Sequence, residues 1–351
     1  MTIRIGVVGA GENTRTMHIP KLQAIDGVQI VSVCNRSRES SQRAADEFGI
    51  PMVYEDWREL IAADDSDAIV IGTWPYMHCA MTCAALEAGK HVMCEARMAT
   101  DGMAARMMLA ASQQHPDLVA QIVPSPLSFR VDGTIRDLIA DGYLGELYSV
   151  KVFGTDQDFV DRDAPLHWRH RKDLSGLNIM AMGIWYEATM RWVGRATSVY
   201  ARTRVYVPER VDPETGEKVA IEVPDHVEIV AGLDNGAVAN YQFSSVCGLG
   251  PAHGAWLFGS EGTLHFELGN GKLLGGRRGD TALAEIEIPP EKAGAWRVEE
   301  EFIGAIRGEE PIQLTDFKTG LAYMEFTDAV HRSAATGAEV NLSSRTLGGK
   351  S

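Results

Sequence analysis

No cluster of lysines and arginines occurs anywhere in these 351 residues, and 48 Asp and Glu outweigh 33 Lys and Arg for a net charge of −15. Phosphate backbones are held by clustered cations, so this balance argues against a nucleic-acid partner. Long apolar runs are missing too. None approaches the length that spans a bilayer, and the chain enters a strand-like segment at once, which predicts no signal peptide and no membrane partner. Cysteine is scarce and odd in number: Cys34, Cys79, Cys83, Cys94 and Cys247 lack framework spacing and read as reduced thiols of a cytoplasmic protein. Cys79 and Cys83 stand four apart on an expected helix, but no further ligand types lie near them, so no metal site is expected. Repeats and low-complexity tracts are absent, and only residues 347–351 read as a loose tail. What is present, 45% hydrophobic and 23% charged, suits a globular chain long enough for two domains, each with a core.

The first informative stretch is Gly6-Val-Val-Gly9-Ala-Gly11-Glu12-Asn13-Thr14. Ile3, Ile5, Val7 and Val8 predict a buried strand, the glycines a sharp turn, and a helix follows from near Thr14 towards Leu22. Such a turn lets backbone N–H groups approach a pyrophosphate at the positive end of a helix, so Gly9, Gly11, Glu12 and Asn13 are expected to bind a dinucleotide. Thr14 replaces the third small residue of G-x-G-x-x-G, and a tight turn without ligand is the alternative. A second strand, 28–34, ends in Asn35-Arg36-Ser37. A carboxylate here would bond the ribose 2′-hydroxyl of NAD, whereas a 2′-phosphate wants a cation and hydroxyl donors. Asn35, Arg36 and Ser37 therefore predict NADP, with NAD as the alternative, and a solvated turn with Ser37 as N-cap is the competing reading.

Further strands at 52–54, 68–72, 91–94 and 118–123 alternate with helices, which predicts an α/β doubly wound parallel sheet with ligands beyond the strand C-termini. Thr73, Trp74 and Glu95 stand at such ends, with His78 at the next helix start. They complete the expected cofactor set, although a Trp before Pro also anchors loops and a His also caps helices.

From end to end the chain then resembles the glucose–fructose oxidoreductase/inositol dehydrogenase (Gfo/Idh/MocA) family. The resemblance rests on Gly9-Ala-Gly11 with His18-Ile-Pro20, Ala88-Gly89-Lys90-His91-Val92, Cys94-Glu95, Gly142-Tyr-Leu-Gly145-Glu146 and Trp168-Arg169. It continues through Gly259-Ser-Glu-Gly262-Thr263 and Phe302-Ile-Gly-Ala-Ile-Arg-Gly308. It implies a Rossmann domain (1–122) and a C-terminal α+β domain with an open, mostly antiparallel sheet (123–351). It also implies NAD(P)-dependent oxidoreduction of a sugar, polyol or related hydroxy or keto compound, with Glu95 beside the nicotinamide ribose.

The chain departs from that family where protons move. The Glu-Lys-Pro motif reads Glu95-Ala96-Arg97, and alanine moves no proton. Arg97 stays charged and is no general base, but it can hold a carboxylate or polarise a carbonyl; a surface ion pair is the alternative. The family's Asp and His fall on Ala181 and Trp185. Helical spacing puts Asn178, Ala181, Trp185 and Ala188 on one face, which is apolar but for one amide. Tyr186, Glu187 and His167 are the candidate proton carriers, and Arg97, Trp168, Arg169, Asn178 and Trp185 the candidate substrate contacts. His170 shares the same mixed segment. Two other readings stay open: a non-redox lyase, hydrolase or epimerase that oxidises its substrate transiently, and a ligand sensor without chemistry.

Beyond Trp192 the composition turns to strands, with Asp234-Asn235-Gly236 a hairpin signal. The sheet they form would leave one face uncovered, which predicts a homo-oligomer, dimer or tetramer, joined through that sheet. Helices at 299–307 and 319–335 close the chain.

Overall fold

The computed structural model describes residues 2–342, and the tail expected at 347–351 lies outside them. The chain forms two compact units. The first runs through Pro124 and adds Asp173–Gly176 and Arg297–Met324; the second comprises Ser125–Lys172, Leu177–Trp296 and the chain from Glu325 onward. Thus Arg297–Met324, expected in the C-terminal domain, belongs with the N-terminal one. Contacts that no local pattern announces hold it there: Glu301 accepts from Gln121, and Tyr323 accepts from the Met98 amide.

In the first unit the strands are β1 (Ile3–Val8), β2 (Val28–Cys34), β3 (Met52–Val53), β4 (Ala68–Ile71), β5 (His91–Cys94) and β6 (Ala120–Ile122). They pair in parallel in the order β3-β2-β1-β4-β5-β6. The order reverses between β1 and β4, whose central residues are fully buried, as strands covered on both faces require. After the glycine turn comes a wide helical turn, Thr14–His18, then α1 (Ile19–Gln23). The intervening helices are α2 (Arg38–Phe48), α3 (Trp57–Ala62), α4 (Pro75–Glu87) and α5 (Gly102–Gln114). Their starts are written in the sequence: Ser37, Asp56 and Asp101 each accept a bond from a first-turn amide. Gly89 ends α4 at φ +75, and Lys90 turns its ammonium inward onto the Ala63 carbonyl and Ser66 hydroxyl. The Gly-Lys-His run is therefore a structural clasp.

The second unit opens with α6 (Phe129–Ala140) and β7 (Leu147–Thr155). Then come α7 (Lys172–Ser175, of which Asp173 onward counts with the first unit), α8 (Met182–Val193), β8 (Ala196–Arg204) and a small hairpin of β9 (Glu209–Val211) and β10 (Lys218–Ala220). Next are β11 (His226–Leu233), β12 (Val238–Ser244), β13 (Gly254–Gly259), β14 (Gly262–Glu267), β15 (Lys272–Arg277) and β16 (Ala284–Glu285). The chain closes with α9 (Val298–Arg307), α10 (Phe317–Thr336) and β17 (Val340–Asn341). The large sheet has nine strands in the order β16-β15-β14-β13-β7-β12-β11-β8-β17, antiparallel except where β12 meets β7. Asp234-Asn235-Gly236 does join β11 to β12 as a hairpin.

The expected helix face does not survive whole. Gly176 and Met180 both take positive φ, so α8 starts only at Met182 and Asn178 lies outside it. One sheet face packs Trp185, Tyr186 and Trp192 of α8 and Phe326 of α10 against Tyr241, Phe243 and Phe266.

Candidate active site

Gly9 leaves β1 at φ +87, and a Cβ there would lie 2.7 Å from the Thr73 amide nitrogen. A Cβ on Gly72 would lie 2.3 Å from the Gly9 carbonyl. Only glycine permits the two turns beyond β1 and β4 to touch in this way. Between them opens a cavity of about 370 Å³ lined by Gly9, Gly11, Asn35, Arg36, Thr73 and Trp74, with Met77 and Met81 behind. Asn35 spans two turns: its carbonyl oxygen accepts from Ala10 N–H of the glycine turn at 2.7 Å and its amide donates to the Ser40 carbonyl. Arg36 is exposed on the rim, while the Ser37 hydroxyl caps α2.

His78 is the first correction. It is buried, with Nε2 2.9 Å from the Thr73 carbonyl and Nδ1 3.0 Å from that of Arg97, so both ring nitrogens face backbone carbonyls, to one of which the neutral ring donates, and the ring is turned away from the cavity. Burial pushes its pKa below the ordinary value. The ring ties the turn after β4 to the segment after β5. Arg97, in that segment, is itself buried, against the surface alternative.

Beside the glycine turn lies a group that spacing did not single out. His18 is wholly buried, with Nδ1 2.5 Å from Glu299 and Nε2 2.9 Å from Glu95. Asn13 donates to the same Glu95 oxygen, and Glu95 Oε2 accepts from the Ala96 amide at 3.0 Å. Burial alone would lower the His18 pKa, but the bonds to Glu299 and Glu95 outweigh it and raise the pKa to about 9. Burial likewise opposes ionisation of Glu95, but the His18 bond wins and its pKa is lowered. Glu95 is thus an ionised acceptor fixed in place. Glu12 is exposed, and its carbonyl takes the Thr16 hydroxyl.

In the second unit, two of the three expected proton carriers prove structural. Tyr186 is buried, its ring stacked 3.7 Å from that of Phe326 and its hydroxyl accepting from the Ala196 amide at 2.9 Å. Burial raises its pKa further beyond neutrality. Glu187 is buried too, accepting from the Ser125 amide at 3.0 Å and pairing with Arg191, which also holds Asp132. Neither presents a group to solvent. His167 is exposed. Its Nδ1 accepts from the Arg169 amide and its own amide donates to His170, while the Arg169 guanidinium lies over the Trp168 ring.

His167, Arg169 and His170 line a cavity of about 310 Å³ with Arg210, Asp156 and Asp225. Adjoining it, through shared Asp156, His170, Arg210 and Ser245, is one of about 590 Å³ that also reaches His253. Burial and the nearby Arg210 charge lower the His170 pKa to about 4. Asn178 and Trp185 are buried. The sequence offered no signal for Asp156, Arg210 or His253, which come from three separate segments.

The family model described as "Oxidoreductase family, NAD-binding Rossmann fold" matches residues 3–121, and the "GFO/IDH/MocA C-terminal domain" matches 133–265. The chain is 23% identical to an uncharacterized oxidoreductase, ORF334, of Rhizobium meliloti over 95% of its length and 98% of that protein. It is 34% identical to an inositol 2-dehydrogenase/D-chiro-inositol 3-dehydrogenase of Shouchella clausii over 35% of this chain and 36% of that one. A levoglucosan dehydrogenase structure in complex with NADH and L-sorbose superposes with a TM-score of 0.83 at 23% identity, over 97% of this chain and 98% of that one; at this identity the likeness speaks for the fold. The two matched models together span most of the chain and agree with the doubly wound sheet and the mixed sheet seen above. The protein belongs to the Gfo/Idh/MocA family of NAD-binding oxidoreductases.

Proposed function

We propose that this chain moves hydride between a nicotinamide dinucleotide and a hydroxyl or keto carbon of a sugar or polyol. One observation carries the reading: the glycine cradle of Gly9 and Gly72 is intact, and beside it Glu95 is held ionised by His18. The cradle fits a pyrophosphate by its shape: no Cβ at Gly9, Gly11 or Gly72 holds a phosphate away from the turn and the helical segment after Asn13, while the Gly9, Ala10 and Gly11 amides are bonded to Cys34, Asn35 and Gly9 and brace the turn. When bound, the nicotinamide supplies the hydride acceptor or donor. Gly9, Gly11 and Asn13 would orient it, Glu95 would accept from its ribose, and Thr73 and Trp74 would wall it. Of the proton-carrier candidates only His167 lines a cavity, alongside Arg169 and next to Trp168.

NADP is the proposed dinucleotide. Asn35 brings no carboxylate and turns its amide inward, and Arg36 stands on the rim where a 2′-phosphate would meet it. Titration of both dinucleotides into stripped protein tests this. NADP should bind at least tenfold tighter than NAD, and Arg36→Ala should remove that margin while leaving NAD within about threefold. Equal affinities would reverse the choice. Net change in nicotinamide absorbance with levoglucosan, inositol or L-sorbose tests the reaction. Ala96 and Trp185, where the family carries ionisable groups, favour a second reading, transient oxidation without net turnover; a dinucleotide that co-purifies and resists exchange supports it.

The open sheet face exposes Tyr200, Val230 and Val238, with Val230 paired directly across from Tyr200. This supports a homo-oligomer, a dimer or tetramer, joined there. Val230→Glu should shift the sedimentation coefficient to that of the monomer. The cysteine usage fits a reducing, cytoplasmic compartment.

A further inference from the structure

Trp185 occupies the position where the family's ionisable side chain would stand, and it is completely buried. Its one polar atom has a partner: the indole N–H donates to His253 Nδ1 at 3.3 Å, with the ring centroids 6.4 Å apart and the planes 27° from parallel. An indole nitrogen can only donate, so His253 Nδ1 must be the bare, accepting nitrogen and the ring proton must sit on Nε2. That N–H lies 4.0 Å from Asp156 Oδ1, too far for a direct hydrogen bond. Both residues line the cavity of about 590 Å³. A fixed donor and an anionic acceptor therefore stand side by side on one wall.

Both are held by backbone. The His253 carbonyl accepts from the Leu268 amide at 3.0 Å, and the Asp156 amide donates to the Ser244 carbonyl at 2.9 Å. The Thr155 hydroxyl clasps the Pro251 carbonyl between them. The sheet thus anchors the main chain of both residues at the ends of β7 and β13, and Trp185 orients the His253 ring, while the Asp156 carboxylate reaches into the cavity from its anchored backbone.

We infer that His253 and Asp156 form a substrate-binding pair for two hydroxyls on neighbouring carbons of a polyol or sugar ring. One ligand oxygen accepts from His253 Nε2–H, and the adjacent hydroxyl donates to the Asp156 carboxylate. Trp185 acts through His253, as the positioning residue that selects its tautomer. A lone hydroxyl satisfies only one half of the pair, so the site discriminates vicinal diols from monoalcohols. The inference deepens the sugar or polyol reading and rests on it for the identity of the ligand.

The test uses the full chain loaded with dinucleotide, with myo-inositol, levoglucosan and cyclohexanol as probes read by saturation-transfer NMR. The polyols should bind at least tenfold tighter than cyclohexanol. His253→Ala and Asp156→Asn should each weaken polyol binding ten- to hundredfold. Nitrogen-15 spectra should show the His253 proton on Nε2. Trp185→Phe, which keeps a ring but removes the N–H, should give mixed tautomers and a severalfold weaker polyol affinity, with circular dichroism unchanged. An Nδ1-protonated ring, variants that bind as the parent does, or no polyol binding by the parent would each overturn the inference. If the variants bind normally while the parent still oxidises or reduces a polyol, the inference fails and the oxidoreductase reading stands. If polyol binding depends on the pair but no nicotinamide absorbance changes, that reading fails and the inference stands.

Discussion

Tyr186 and Glu187 show what a helical segment conceals at the scale of single residues. The spacing from Gly183 to Trp192 correctly brings a run of side chains onto α8. Their neighbours, however, arrive from elsewhere: the Ala196 amide meets Tyr186, and the Ser125 amide meets Glu187 from across the unit. No local pattern encodes those meetings, so buried polar groups satisfied at a distance look, in the sequence, like groups awaiting a substrate. Two substitutions check the structural assignment. Tyr186→Phe should leave turnover within about threefold of the parent, where a lost general acid or base would cost at least a hundredfold. Glu187→Gln should likewise spare turnover but lower stability by about 2 kcal/mol, because one charge-assisted bond to Arg191 and the bond from Ser125 weaken in a dry site. Denaturant midpoints and steady-state rates on the same samples separate the two effects.

At the scale of elements, β1, the glycine turn and the helix after it were legible because their chemistry is local: alternating β-branched residues, then glycines, then a polar helix start. The tie that completes the cofactor side was not legible, because it joins three elements far apart in the chain. His18 comes from the wide turn Thr14–His18, Glu95 from the end of β5 and Glu299 from the first turn of α9. The His18 pKa rises in the folded state from about 6.5 to about 9. Its contribution is therefore complete below pH 6.5 and is lost as pH climbs through 9; the difference is up to about 3 kcal/mol. The Glu95 shift runs the other way, so its share is present above the ordinary carboxylate range and lost as pH falls below it. Urea unfolding should show stability declining between pH 7 and 10, and His18→Gln should flatten that decline. A stability that stays level across the interval would contradict a charged His18. The same substitution should weaken dinucleotide binding severalfold, since Glu95 loses the partner that holds it ionised and in place.

At the scale of the whole molecule, the order of strands and helices followed from alternation and periodicity, but the return of Arg297–Met324 to the first unit did not. The returning segment meets the rim of the parallel sheet by backbone and side-chain bonds. Thr315 accepts from the Ile122 amide at 3.0 Å, an isolated bridge joins Gln121 to Asp316, and the Gly320 position is close-packed against Met98 and Ile122. Phe302, Ile303 and Phe317 are fully or almost fully buried. Without this segment the β6 edge would carry unpaired amides and bare apolar area, a template for association. A fragment ending at Pro124 should therefore fail to unfold cooperatively and should aggregate on gel filtration. A fragment that fuses residues 297–324 to Pro124 through a flexible linker should recover a cooperative transition. It should also bind the dinucleotide, because the cradle, Glu95, His18 and Glu299 all lie within it. A short fragment that folds cooperatively alone would show instead that the dinucleotide unit needs neither the returning segment nor its Glu299 to fold.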